Sequence, residues 1–427
     1  MRILIENSGY HLENMGDVAM LQVTVARLRN FWPDALIEVI TNAPEKLAEL
    51  CPQTHPLLPI GRCFWTAPLI SSIYKSSTSQ LTLQWSDIEE WEMRHYSPYL
   101  VGALIKTKLK KTIELFKYFT AFKEAVDNAD LVVASGGGYI TDVFQTSAIL
   151  ALDTLGLASR LGKPTAMLGH GLGPLWKQNS LTKAKAVLPF VNVISLREKR
   201  AGIPLLKSMG ISQERVFTTG DDAIELAYKA RCLELGNGIG ANLRVSKYSS
   251  ISLTILEIVR SALQEVAKSQ DAQLIAAPIS RFYYKGYEDS DSMTIQKLLN
   301  GYENTADAGQ YLDTPSKVIE QIGQCRVVVT GSYHAGVFAL AQGIPVVCLA
   351  KSEYYIDKFL GLADQFGIGC TVVLLNDRHL REKLIISIDA AWKSAEHIRP
   401  QLLDAAKKQI QLGHDAYKRV YELVQSR

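Results

Sequence analysis

The sequence has no Cys-x-x-Cys pair; its six cysteines, Cys51, Cys63, Cys232, Cys325, Cys348 and Cys370, are scattered over 427 residues. This spacing argues against a zinc site and a disulfide scaffold, and fits a reducing compartment. Cys325 and Cys348 stand in apolar strand-like runs and read as small buried hydrophobes. No apolar run approaches the ~20 residues of a membrane span. Met1-Arg2-Ile3-Leu4-Ile5 enters a strand pattern directly, not a signal peptide. The expectation is therefore a cytoplasmic protein, peripheral at most at the inner face of a membrane. Strong charge of one sign is missing too. A net charge of +3 is too small to suggest a nucleic-acid partner, though it leaves room for a mildly basic cleft that takes an anion. Internal repeats and low-complexity segments are absent.

What is present is an ordinary globular composition, 47% apolar and 21% charged, in a chain long enough for two domains with full cores. Strand-like runs alternate with helix-like stretches, which predicts an α/β fold with parallel sheets and crossover helices. Ile3 to Glu6, Leu36–Thr41, Leu131–Ala134, Thr165–Leu168, Asn192–Leu196 and Val216–Thr219 read as strands of a first domain, 1–232. A fresh rhythm at Ile239–Leu243, Gln273–Ala276, Val327–Thr330 and Pro345–Leu349 marks a second, 233–400. Residues 401–427 form an amphipathic helical pattern that, by analogy with other two-Rossmann chains, packs back on the first domain. Residues 60–125 interrupt the alternation. They hold Phe64, Trp65, Tyr74, Trp85, Trp91, Tyr96, Tyr99, Phe116, Tyr118 and Phe119, together with Lys106, Lys108, Lys110 and Lys111. This insertion is read as an acceptor-recognition element whose rings can stack on sugars, or as a small helical unit with its own core. Its lysines beside Leu104, Ile105 and Leu109 fit a solvated helix face or an anionic membrane.

Candidate ligand contacts lie at strand ends, where open α/β sheets bind ligands. After the first strand, Asn14, Gly16 and Asp17 precede a helix over Val18–Leu28; Gly16 permits close backbone approach and Asp17 is placed to cap the helix. Gly136, Gly137 and Gly138 follow the strand Leu131–Ala134 and are read as exposing backbone N–H groups to an anion at a helix start. No Gly-Lys-Ser/Thr follows, so this is not a Walker loop. His170 stands between glycines after Thr165–Leu168. Arg197 ends another strand, where its fork can hold a carboxylate or phosphate, or pair with Glu198. Asp221, after Gly220, is read as a cap or a base. The strongest stretch runs from Val327 to Pro345: Gly331, Ser332, Tyr333 and His334 at a strand end, then a helix of small residues. A histidine there is suited to acid–base chemistry near neutral pH.

Taken in order, Asn14-x-Gly16-Asp17-x-Ala19-Met20-Leu21, Gly136-Gly-Gly138, Arg197-Glu198, Gly220-Asp221, Ala241-Asn242-Leu243-Arg244, Ser332-Tyr333-His334-Ala335 and Tyr355-Ile-Asp-Lys358 resemble the polysaccharide pyruvyl transferase family. The likeness covers most of the chain outside 60–125. It implies a glycosyltransferase-B-like fold, with two Rossmann-like domains facing a central cleft. It also implies transfer of pyruvate from phosphoenolpyruvate to a sugar as a cyclic ketal, with no cofactor and no metal. Its partners would be a small-molecule donor and a saccharide acceptor. By the same resemblance His334 is the acid/base and Arg197 holds the donor, with Ser332, Tyr333, Gly331, Arg244 and Lys358 around it. Asp17 or His170 would handle the acceptor hydroxyl.

One departure stands out. Many members carry an arginine two residues before this histidine, and here the position is Ser332. A charge-assisted contact of ~1.5–3 kcal/mol is lost there, so Arg244, Lys247 or Arg281 compensates or the donor differs. A nucleotide-sugar glycosyltransferase, with Glu353 on a ribose, is the alternative; a ligand-binding protein without turnover is a third class.

Overall fold

The computed structural model describes residues 1–7, 10–67, 93–243, 252–284, 287–300 and 309–426. The first sheet comprises β1 (Arg2–Glu6), β2 (Leu36–Ile40), β3 (His55–Leu57), β4 (Leu131–Ala134), β5 (Gly137–Ile140), β6 (Thr165–Leu172), β7 (Val193–Leu196) and β8 (Val216–Thr218). It is parallel throughout, in the order β3-β2-β1-β4-β6-β7-β8, with β5 paired to the far end of β6. The second sheet comprises β9 (Gly238–Asn242), β10 (Leu274–Ala276), β13 (Cys325–Thr330), β14 (Val346–Ala350) and β15 (Cys370–Leu374), also parallel, in the order β10-β9-β13-β14-β15. A hairpin of β11 (Arg281–Tyr284) and β12 (Tyr287–Ser290) stands apart.

Alternation explains why these runs are strands. On β1, Leu4 enters one apolar cluster and Ile3 and Ile5 the other; on β13, Val328 is opposed to Val327 and Val329 in the same way. Strands covered on both faces read as continuous apolar runs, as parallel sheets with crossover helices require. Both orders place the strand that opens each domain inside its sheet, with later strands on either side of it, so each sheet has a crevice at the carboxyl ends of its strands. Four chain segments described below leave those ends and meet one another.

The two domains share one apolar seam. Met15, Ala19 and Met20 of the Met15–Phe31 helix and Ala223, Ile224 and Ala227 of the Ala223–Lys229 helix belong to the same cluster as Tyr333, Phe338 and Leu340 of the second domain. Backbone hydrogen bonds cross it as well. Met15 N–H donates to Ile279 O at 2.8 Å and Arg281 N–H to Glu13 O at 2.8 Å, with Asn14 and Ser280 forming an antiparallel bridge.

The terminal helix is longer than the sequence suggested. It runs unbroken from Leu380 to Gln425, 46 residues with Pro400 inside, so it is rooted in the second domain before it reaches the first. Leu384 and Ile388 pack under the second sheet, whereas Tyr417 and Val420 join the core of the first. Tyr417 Oη donates to Asp222 Oδ2 at 2.8 Å, and Asp222 and Glu225 hold the buried Arg27 at 2.6 and 2.8 Å. The C-terminal helix thus packs back on the first domain.

Among the described residues the insertion holds the helices Ile60–Thr66, Pro98–Leu109 and Ile113–Asn128. Trp65 and Phe119 are buried in the first domain's core, so for them the plain packing role holds. Tyr74, Trp85 and Trp91 lie outside the described residues. No helix among the described residues is long and apolar enough to cross a membrane.

Candidate active site

The site is assembled from strand ends of both sheets. β7 ends at Leu196, and the next residue, Arg197, is fixed by its N–H to His170 O at 2.9 Å. β8 leads into Gly220, whose φ of +84° is open to glycine alone at little cost. A Cβ there would also lie 2.4 Å from Gln409 Oε1 of the terminal helix. This turn delivers Asp221. Its Oδ1 accepts from Ala223 N at 2.9 Å, at the start of the Ala223–Lys229 helix, and its Oδ2 lies 3.0 Å from Arg197 Nη1. Of the two roles open to it in the sequence, cap or base, the structure shows a carboxylate that holds the first N–H of this helix, whose N-cap residue is Asp222. Arg197 pairs with it and not with Glu198, whose Oε2 accepts from Arg200 N at 2.6 Å.

The second domain supplies the opposite wall. Asn242, at the end of β9, ties the neighbouring strand ends together. Its Nδ2 donates to Ala277 O and to Asp291 Oδ2, both at 2.9 Å, and its backbone O accepts from Gly331 N at 2.9 Å. Beyond Gly331, Ser332 N–H donates to Thr330 Oγ1 at 2.8 Å, and Tyr333 and His334 open the Tyr333–Ala341 helix. The Arg197 guanidinium stacks over the Tyr333 ring at 4.1 Å from its centroid. His334 Nε2 lies 3.6 Å from Asp221 Oδ2, just beyond hydrogen-bond reach. From the Glu353–Phe366 helix, Tyr354 Oη donates to Gly138 O at 3.2 Å, and Lys358 Nζ sits 4.2 Å from the Tyr354 ring.

These groups are almost fully shielded from water. Arg197 Nε, Tyr333 Oη and His334 Nε2 are buried without a hydrogen-bond partner. Buried polar atoms are nearly always paired, so three orphans around one carboxylate mark a place for a polar ligand. Electrostatics agree. Burial opposes the charge on Asp221, but the facing His334 and Arg197 outweigh it and hold the carboxyl below its usual value. Burial likewise opposes the charge on Arg197, and Tyr333 and Asp221 restore it, keeping the guanidinium protonated.

Two glycines explain the close packing. A Cβ on Gly16 would stand 2.0 Å from His334 Cγ, and one on Gly138 2.8 Å from Arg197 Nη2 and 2.9 Å from Lys358 Nζ. The glycines of both sequence motifs therefore make room for second-domain and strand-end side chains. Gly16→Ala is expected to displace the imidazole or part the domains. It should lower turnover by at least ~10-fold while leaving the circular dichroism spectrum unchanged; unaltered turnover would show that the contact does not matter.

Several expected contacts fall elsewhere. Asn14, not Asp17, caps the first helix: its Oδ1 accepts from Gly16 N at 3.0 Å and Asp17 N at 3.2 Å. Asp17 sits partly exposed on the first turn. Gly136, Gly137 and Gly138 do not open a helix, since residues 137–140 form β5 and the next α-helix begins at Gln145. The helix dipole is thus displaced from the glycine run.

His170 lies inside β6, which continues through residues read as a loop because β5 and β7 pair with it. Its ring is fully buried, with Nε2 3.0 Å from Ala134 O, and burial lowers its pKa to about 4. Its ring is held neutral inside the sheet, and its backbone O is what fixes Arg197 N–H. Glu353 is exposed at the start of its helix. Arg244 and Lys247 lie outside the described residues. Arg281 begins β11 with its backbone N–H on Glu13 O, and its charge acts on Asp313. The sequence reading left Tyr354 out of its site and gave Asp221 only as a cap or a base. Asp221 alone had a visible signal, its place in Gly220-Asp221 at a strand end.

Comparisons with known proteins follow the same outline. A model of the polysaccharide pyruvyl transferase family matches residues 14–353. The amylovoran biosynthesis protein AmsJ of Erwinia amylovora is 21% identical over 436 residues, covering 97% of each chain. Among solved structures, a putative UDP-N-acetylglucosamine 2-epimerase from Listeria monocytogenes superposes with a TM-score of 0.56 at 13% identity, over 100% of this chain and 95% of the other. The UDP-GlcNAc 2-epimerase of Neisseria meningitidis gives 0.50 at 13% identity over 100% of both chains. At such identities these neighbours establish the fold, two Rossmann-like domains of the glycosyltransferase-B kind.

Proposed function

Because the chain belongs to the polysaccharide pyruvyl transferase family, and is in that sense a transferase, we propose that it moves a pyruvyl group from phosphoenolpyruvate to two hydroxyls of a polysaccharide sugar. The observation that carries this reading is the convergence of three orphaned polar atoms, on Arg197, Tyr333 and His334, at the seam between the domains. A small anion with a carboxylate and a phosphate offers acceptors for all three. Arg197 and Lys358 supply positive charge. Asp221 keeps Arg197 in place and faces the imidazole, the arrangement in which a carboxylate steadies a histidine that gains a proton.

In the proposed reaction His334 delivers a proton to the methylene carbon of the donor, which becomes a methyl group. Positive charge develops on the adjacent carbon. A sugar hydroxyl attacks that carbon, the carbon–oxygen bond to phosphate breaks, and a second hydroxyl closes the ring. Of the two hydroxyl protons released, one restores the acid and the other leaves with phosphate. No cofactor and no metal enter this scheme. Lys358, beside Gly138 and 5.9 Å from the Tyr333 ring, is the cation on hand where Ser332 stands in place of the family arginine.

Ligand-induced thermal stabilisation tests this. Phosphoenolpyruvate at a hundredfold over its dissociation constant should stabilise the fold by ~2.7 kcal/mol, and phosphate release should require a saccharide acceptor. Stabilisation by uridine or guanosine diphosphate alone would replace pyruvyl transfer with glycosyl transfer on the same fold.

A further inference from the structure

The Pro98–Leu109 helix buries Val101, Gly102 and Ile105 against the first domain. Its opposite side carries Tyr99, Leu100 and Leu104, which are 70%, 57% and 47% exposed, and Ile113 just beyond it is 70% exposed. Of the three apolar partners the sequence reading gave the lysines, Leu104, Ile105 and Leu109, only Leu104 lies on this side: Ile105 faces the core and Leu109 packs partly against it. At 100° per residue, Lys106 and Lys108 fall on either edge of the exposed apolar stripe, with Lys110 and Lys111 at its end. Residues 96–117 hold five lysines against one acid, Glu114. That short stretch therefore carries more net positive charge than the +3 of the whole chain.

We infer that this face docks on an anionic phospholipid surface. A solvated helix face would not present a tyrosine and two leucines in one stripe. A surface for a second copy of this basic segment would set lysines against lysines. An anionic bilayer satisfies both features: the ring and leucines enter the headgroup boundary, while the lysine stems lie along them with their ammonium groups on lipid phosphates. Membrane docking is a property of this face alone and does not depend on which donor the cleft binds.

Co-sedimentation of the full chain with vesicles tests it, comparing phosphatidylcholine alone with phosphatidylcholine mixed with phosphatidylglycerol. Binding is expected only to the mixed vesicles, weakening with salt. Each lysine near such a surface is worth roughly a fivefold change in partition. A variant with Lys106→Gln, Lys108→Gln, Lys110→Gln and Lys111→Gln should therefore bind at least ~100-fold more weakly, with an unchanged melting midpoint. Leu100→Ser with Leu104→Ser should weaken binding by at least ~10-fold at unchanged charge. The inference is overturned by equal binding to both vesicle types, by no binding to either, or by wild-type binding in both variants. It is overturned equally by a dimer in light scattering that the leucine variant dissolves.

Discussion

Replacing His334 by alanine should lower turnover by at least ~10²-fold, the low end for an acid–base residue. His334 Nε2 is buried at the domain seam without a hydrogen-bond partner, 3.6 Å from Asp221; His170 also has an unpartnered ring nitrogen, Nδ1, but it lies inside the first sheet. The measurement is phosphate release under saturating donor and acceptor, with circular dichroism to confirm the fold. His170→Ala is the matched control. Its ring holds Ala134 O within the sheet, so its loss should cost stability of ~1–3 kcal/mol and leave turnover within a few-fold of wild type. Near-wild-type turnover in His334→Ala, or an equal collapse in both, would remove His334 from the mechanism.

Replacing Arg197 by alanine should be the most damaging single change to both binding and folding. The guanidinium is fully buried, paired with Asp221 at 3.0 Å and stacked on Tyr333 at 4.1 Å. Removing one partner of a buried ion pair strands the other charge, at ~3–5 kcal/mol. Stabilisation by phosphoenolpyruvate should vanish with it. The pH dependence carries a definite sign. In the wild type the Asp221 carboxyl is held below its ordinary value, so its contribution is present above the unfolded pKa and fades as pH falls through the folded one. Without Arg197 one of the charges that hold that carboxyl down is lost, while His334 still faces it, so its pKa moves up from the wild-type position. The variant's deficit is then largest at neutral pH and shrinks as acid neutralises the group. Urea unfolding of both proteins across the acid range reads this out. A deficit independent of pH would mean that the arginine acts by packing alone.

The alternation of apolar runs was enough to place ten of the strands, because a strand buried on both faces writes its core directly into the sequence. The glycine-bearing segments were harder. Gly169, Gly171 and Gly137 carry no apolar signature, and only their pairing within the sheet makes them strand; hence His170 was read as exposed when it is enclosed. Strand ends marked Arg197 and His334 as site residues and Asp221 as a cap or a base, but not that Asp221 is the partner the two share. Two aspartates stand side by side, and nothing local tells them apart. Asp221 faces the cleft, whereas Asp222 turns to Arg27 and Tyr417. That division depends on contacts 24 and 195 residues away in the chain. The exposed apolar stripe at Tyr99 and Leu100 also became visible only once the buried side of its helix was known.

The unbroken Leu380–Gln425 helix has a mechanical consequence. At ~1.5 Å per residue it is a beam about 69 Å long, clamped at one end by the second domain and at the other by Tyr417 on the first. Turning the halves apart would require this beam to bend or one of its clamps to release. Pro400, inside its span, lacks the backbone N–H that its neighbours contribute to the helix. The two halves are thus tied by one continuous strut as well as by their shared apolar seam.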